Sequence, residues 1–211
     1  MLTKNVNFKN FKNKNKKRKV LNVFKKLKKS FFNKNDQILL SLSKNFINSF
    51  KKKDLNKYNK FKSFRLIGMG GSSLGAKAIY SFLKFKIKNN FEFLDNISPG
   101  KSNNLEKNCL NIIISKSGNT LETISNFNSL QNNKNFIFVT ENRNNYFKTI
   151  AKKISKEIVE HNNFIGGRYS VLSETGMLPA CLMGLDYKKF KRLDFLIKNR
   201  NFQNQLLNNV S

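Results

Sequence analysis

From Phe64 to about Glu160 the chain alternates short apolar runs with longer amphipathic ones. That alternation marks βαβ units. A strand buried on both faces of a parallel sheet is nearly uniformly apolar, whereas its crossover helix needs only one apolar stripe. "NIIIS" and "FIFVT" are such runs. The spacing predicts strands at 64–68, 91–94, 111–115, 136–140 and 157–160, and helices near 73–86, 120–131 and 145–155. A further helix is expected near 176–184, after a glycine-bounded loop. The expected fold class is α/β, a doubly wound parallel sheet whose loops gather at the carboxyl edge, where such folds bind ligands.

Ahead of the sheet, apolar residues from Val20 to Phe50 recur near helical spacing and predict two helices broken around Asn33 to Asn35. Residues 51–62 read as a Lys-rich connector. The expected organisation is a basic extension with helices over 1–63, a ligand-binding domain over 64–187 and a basic tail over 188–211.

The formal charge of +29 raises a nucleic-acid partner, and segment 8–29 does interleave Phe8, Phe11 and Phe24 with Lys and Arg. The charge is uneven, however: residues 1–65 hold 21 Lys and Arg against 2 Asp and Glu, and residues 66–187 hold 14 against 9. Asn, Lys, Phe and Ile are abundant throughout, which reads as a biased codon pool rather than selection for a polyanion. No nucleic-acid module is recognisable, so a nucleic-acid partner is not expected. Cys109 and Cys181 lack metal-ligand spacing and His161 is the single histidine, so neither a disulfide framework nor a zinc site is indicated. No run of 18 apolar residues exists and no apolar segment follows the basic N-terminus, so no membrane partner and a cytoplasmic location are expected.

Two strand-to-helix turns carry chemistry. In "LIGMGGSSLGA", Gly68, Gly70 and Gly71 let backbone N–H groups approach a ligand, and Ser72 and Ser73 are expected to cap the next helix, whose amino end favours an anion. Alone, this is equally a tight turn with a serine cap. In "IIISKSGNTLET", Ser115, Ser117 and Thr120 supply hydroxyls, Gly118 backbone freedom, and Thr120 a cap for the helix bearing Glu122. Short donors converging on a helix start suit a phosphate dianion. Lys116 adds charge or points to solvent. A P-loop is excluded by the absence of G-x-x-x-x-G-K-[ST], and dinucleotide binding is disfavoured.

Together with "GGRYSVLSETGMLPA", which carries Gly166, Gly167, Arg168, Tyr169 and Ser170, these loops resemble the glucose-6-phosphate isomerase family over roughly residues 64–187. The resemblance implies a flavodoxin-like sugar isomerase (SIS) domain with preceding helices. It also implies reversible conversion of glucose 6-phosphate and fructose 6-phosphate through a cis-enediol, a step of glycolysis and gluconeogenesis. Gly71 and Ser72 then match the first substrate loop. Ser115, Lys116, Ser117, Gly118, Asn119 and Thr120 match the phosphate loop, and Arg168 the arginine that stabilises charge on the enediolate. Tyr169 is expected to pack and Ser170 to bond within its loop. No cofactor or metal is expected.

The family's base glutamate lies well downstream of the arginine signature and its ring-opening histidine far beyond it, so Glu122, Glu174 and His161 match neither. Glu122 suits the first turn of its helix, and His161 reads as structural or solvated. The family's second SIS-like domain is expected to lie outside this chain, so activity would call for a second chain supplying that half. A homo-oligomer is the family's usual state. A non-catalytic sugar-phosphate-binding module is the alternative.

Overall fold

The computed structural model describes residues 17–32, 36–97, 108–130, 133–191, 195 and 198–210. The arm at 1–16 and the break at Asn33 to Asn35 lie outside them. The chain divides into two compact units, one of residues 1–46 and 188–211 and the other of residues 47–187.

In the first unit, helix α1 (Lys17–Phe32) is amphipathic and α2 (Gln37–Ser41) is one short turn. Asp36 caps α2 by accepting from the amides of Ile38 and Leu39 at 3.0 and 3.1 Å. The spacing predicts a helix as far as Phe50, yet α2 stops at Ser41. Ser41 donates to the Ile38 carbonyl and Ser43 accepts from the Asn45 amide, so this polar stretch satisfies its backbone locally instead of continuing the helical ladder.

The second unit opens with a helical turn, α3 (Lys52–Leu55), and then builds the sheet: β1 (Ser63–Ile67), α4 (Leu74–Leu83), β2 (Asn90–Leu94), β3 (Cys109–Ile114), α5 (Leu121–Asn128), β4 (Phe136–Glu141), α6 (Tyr146–Lys153), β5 (Glu157–His161) and α7 (Glu174–Leu182). Every expected strand is present to within two residues at its ends. All pairings are parallel and the strand order is β2-β1-β3-β4-β5. The chain steps from β1 to β2 in one direction, then returns past β1 to β3 and continues in the other direction to β4 and β5. With right-handed crossovers, α4 therefore covers one face and α5 and α6 the other.

Under α5 and α6, Ile67, Ile113, Phe136, Phe138, Phe147 and Ala151 form a buried cluster, with Phe127 packed edge-on against Phe136, Phe138 and Phe147. Helix α7 is buried on nearly every side and packs against α4 and β5. Within the sheet Arg65 is only 2% exposed, and its register partners on either side are Glu92 of β2 and Asn111 of β3. Its guanidinium donates to both, at 2.8 Å to Glu92 Oε2 and 3.0 Å to Asn111 Oδ1.

In the first unit the chain closes with α8 (Arg200–Val210), which packs against α1, and the ammonium of buried Lys191 sits 4.0 Å from the ring centre of Phe46. Among the described residues no helix is long and apolar enough to cross a membrane.

Candidate functional site

The crevice at the carboxyl ends of β1 and β3 lies where the strand order reverses, the place where an open parallel sheet leaves room for a ligand. The loop after β1 rests on the end of β3: a β-carbon on Gly68 would stand 2.8 Å from the Ile114 carbonyl oxygen. Gly70 has a φ of +55°, which a side-chain-bearing residue rarely adopts. Ser72 and Ser73 do not cap α4 as expected. Ser73 occupies the cap position with its backbone already near helical values, and its hydroxyl turns back to the Gly70 carbonyl at 3.3 Å. No side-chain cap therefore covers the first-turn amides of α4.

In the loop after β3, the hydroxyls of Ser115 and Thr120 lie 2.9 Å apart and those of Ser117 and Thr120 3.4 Å apart. The Gly118 amide donates to the Ser115 hydroxyl and carbonyl, 3.2 and 3.1 Å, and the Asn119 amide to Ser117 Oγ, 3.3 Å. Thr120 stands at the cap position of α5 but makes no capping bond, because its hydroxyl faces the two serines. Glu122 lies in the first turn of α5, where a carboxylate suits the helix dipole. Lys116 points neither to solvent nor into this cluster. Its ammonium pairs with buried Glu141 at 3.2 Å and donates to the Asn163 carbonyl at 2.7 Å, which ties the loop after β3 to the loop after β5.

That third loop carries the Gly-Gly-Arg motif and is packed on the first. A β-carbon on Gly71 would stand 2.7 Å from the α-carbon of Gly167, so the two backbones touch only because residue 71 is glycine, whereas a β-carbon on Gly167 would lie in ordinary contact at 3.7 Å. Ser170 fastens the contact, its buried hydroxyl donating to the carbonyls of Gly167 (2.8 Å) and Gly71 (3.2 Å). Its own carbonyl accepts from the hydroxyls of Ser173 and Thr175, both at 2.7 Å. Tyr169 does not pack; it is 56% exposed, because the short 3-10 helix from Gly167 to Leu172 turns Ser170 and Leu172 inward and leaves Arg168 and Tyr169 outside. Arg168 is exposed and makes no ion pair among the described residues, unlike an arginine that fastens a loop to a carboxylate.

His161 is buried at the end of β5, with Nδ1 2.9 Å from the Asn162 carbonyl oxygen. Burial holds its pKa below the ordinary histidine value, against the opposing pull of Asn162, Glu174 and Glu141. Glu174 is equally buried and accepts from the Ser49 amide at 3.1 Å. Both residues belong to the packing beneath the loops.

Glu141 and Asn145, which support the loop after β3, were not singled out by the sequence. Asn145 had a visible signal, an asparagine just before a helical run, whereas Glu141 had none. The cavity of about 270 Å³ lined by Tyr58, Leu110, Phe136 and Glu157 lies at the opposite edge of the sheet, where the strands begin.

The family model of phosphoglucose isomerase matches residues 14–201. The chain belongs to the phosphoglucose isomerase family. Its relatives include the glucose-6-phosphate isomerase of Methanocaldococcus jannaschii, 34% identical over an alignment of 181 positions that covers 74% of this chain and 44% of that protein. The glucose-6-phosphate isomerase of Campylobacter jejuni is 37% identical over 60% of this chain and 35% of that protein. The chain thus spans less than half the length of these phosphoglucose isomerases. Among solved structures, a hypothetical protein from Thermus thermophilus shares the fold with a TM-score of 0.69 at 19% identity, over 86% of this chain and 49% of that one.

Proposed function

We propose that this chain forms the sugar-phosphate-holding part of an aldose–ketose isomerase site, acting on glucose 6-phosphate and fructose 6-phosphate in the cytoplasm. The phosphate is held by the hydroxyls of Ser115, Ser117 and Thr120, at a loop that Gly118 and Asn119 close with their own amides. Gly71 and Ser72 bring uncapped amides of α4 to the sugar's side of the crevice. The observation that supports this reading best is the three-hydroxyl cluster at the amino end of α5, with none of its hydroxyls used to cap the helix. Short donors arranged around a helix start favour a dianion over a carboxylate or a base.

In this reading Arg168 serves the chemistry. Moving a proton between C2 and C1 of the open-chain sugar builds negative charge on oxygen, and a guanidinium aimed at that oxygen lowers the barrier. Exposure without an ion pair leaves Arg168 able to turn toward a substrate. Glu122 and Glu174 are engaged elsewhere, one in the first turn of α5 and the other under Ser49. The proton-transferring base then belongs to the portion of its relatives' length that this chain does not span. A polypeptide carrying that portion is the partner this reading calls for, and the assembly is a homo-oligomer of such pairs, as is usual in the family. Lys116 serves as a strut between loops through Glu141 and Asn163.

Calorimetric titration with fructose 6-phosphate, glucose 6-phosphate and unphosphorylated fructose tests the reading. Binding of the two phosphates without the free sugar is expected, and turnover is expected only when the C-terminal part of a related isomerase is added. Absence of any phosphate-dependent binding would remove the proposal.

A further inference from the structure

The loop Ser115–Thr120 has no regular structure of its own, so something must hold its donors in register. Apart from the Ser115 amide's bond to the Val139 carbonyl and the Lys116 ammonium's bond to Asn163, its supports come from one short stretch, residues 140–147. The Lys116 carbonyl accepts from the Glu141 amide at 3.1 Å and from the Thr140 hydroxyl at 3.3 Å. The Gly118 carbonyl accepts from the Phe147 amide at 3.2 Å, and Asn119 Oδ1 from the Tyr146 amide at 2.9 Å. At the centre of these contacts lies Asn145, 7% exposed.

Asn145 uses both ends of its amide. Its Oδ1 accepts from the Lys148 amide at 2.9 Å and so caps α6. Its Nδ2 faces Thr140 Oγ1 at 3.1 Å and the carbonyls of Arg143 and Glu141 at 3.1 and 3.4 Å. Thr140 passes the connection on to Lys116. The side chain also fills the space that a residue at 118 would need: a β-carbon on Gly118, whose φ is +69°, would stand 2.7 Å from Asn145 Cβ. A cap needs only an acceptor, and serine or aspartate would serve as well. The donor end answers to the bend between β4 and α6 and, through Thr140, to the loop after β3.

We propose that Asn145 is a positioning residue for the phosphate site, holding Lys116 and Gly118 so that the hydroxyls of Ser115, Ser117 and Thr120 converge. This rests on the sugar-phosphate reading given above. It separates two roles of one side chain, a cap for α6 and an anchor for the neighbouring loop.

Asn145→Ser retains a capping oxygen and loses the anchor, and Asn145→Ala loses both. Fructose 6-phosphate binding, followed by calorimetry on the full chain, is expected to weaken about tenfold in both variants, the effect of losing one or two buried hydrogen bonds. The melting midpoint is expected to be lower in the alanine variant than in the serine variant. If capping is the whole role, serine will bind like the parent and only alanine will differ, which overturns the proposal. Thr140→Val, which deletes only the connecting hydroxyl, is expected to weaken binding in the same direction, and it decides the matter if both Asn145 variants fail to fold. Hydrogen exchange at the Gly118 and Asn119 amides is read in parallel. Faster exchange in Asn145→Ser is expected even without ligand, and unchanged exchange counts against the anchor. A parent chain that does not bind fructose 6-phosphate removes the sugar-phosphate reading, and the exchange result then judges the anchor alone.

Discussion

Gly71 and Gly167 lie backbone to backbone, 96 positions apart in the chain, in a space where a β-carbon on Gly71 would fall 2.7 Å from the α-carbon of Gly167. This contact joins the loop after β1 to the loop bearing Arg168, and Ser170 fastens it with one hydroxyl shared by both glycine carbonyls.

Gly71→Ala is accordingly expected to cost about 3 kcal/mol or to push the two loops apart, since the obstructing atoms are backbone and cannot rotate away. Gly166→Ala provides the contrast. Nothing lies within 4 Å of the β-carbon it would add, and its φ of −71° suits any residue. Thermal melting of the two variants should show a large drop for the first and none for the second, although both glycines belong to conspicuous motifs.

Ser115→Ala combined with Thr120→Ala should weaken fructose 6-phosphate binding by at least about tenfold, given the worth of hydrogen bonds to a charged group. Neither hydroxyl caps α5, so the helix should keep its stability. Calorimetry beside circular dichroism separates the two effects, and unchanged affinity would take the phosphate away from this loop.

Arg168→Ala should leave the melting midpoint and sugar-phosphate affinity close to those of the parent, because the side chain is exposed and supports no packing. Turnover reconstituted with the rest of a related isomerase should fall by about 10²- to 10³-fold, as for loss of a group that stabilises developing charge. Equal losses in binding and turnover would instead make Arg168 a general substrate anchor.

Burial lowers the pKa of His161, so the unfolded chain binds its proton more readily than the folded one. The stability tied to neutral His161 is therefore complete above about pH 6.5, the ordinary histidine value, and lost as pH falls below it. His161→Phe should flatten that slope in urea melts taken from about pH 7 to 5. Lys116, Glu141 and Glu174 are the charged groups around it.

The sheet was legible because burial on both faces writes itself into the chain as apolar runs, and "NIIIS" and "FIFVT" became β3 and β4 almost residue for residue. The three motif loops were legible as individual loops. Their mutual contacts were not, since the nearness of Gly71 to Gly167 depends on how the loop after β5 folds back across the carboxyl edge. Serine and threonine at helix starts suggested caps, but Ser73 and Thr120 spend their hydroxyls elsewhere because neighbouring acceptors compete for them. Asn145 was readable as a cap, whereas its donor end depends on the bend between β4 and α6.

Buried Arg65 bears on how this sheet comes to be assembled correctly. Its charge is satisfied only when β2 offers Glu92 and β3 offers Asn111 at the same level. A slip of one position would present Phe91 or Phe93 on one side and Leu110 or Ile112 on the other. A buried guanidinium without partners costs about 3–5 kcal/mol, enough to make the slipped arrangements short-lived. In a chain so rich in interchangeable Ile and Phe, one polar side chain acts as a proofreader, rejecting mispaired sheets that greasy contacts alone would tolerate.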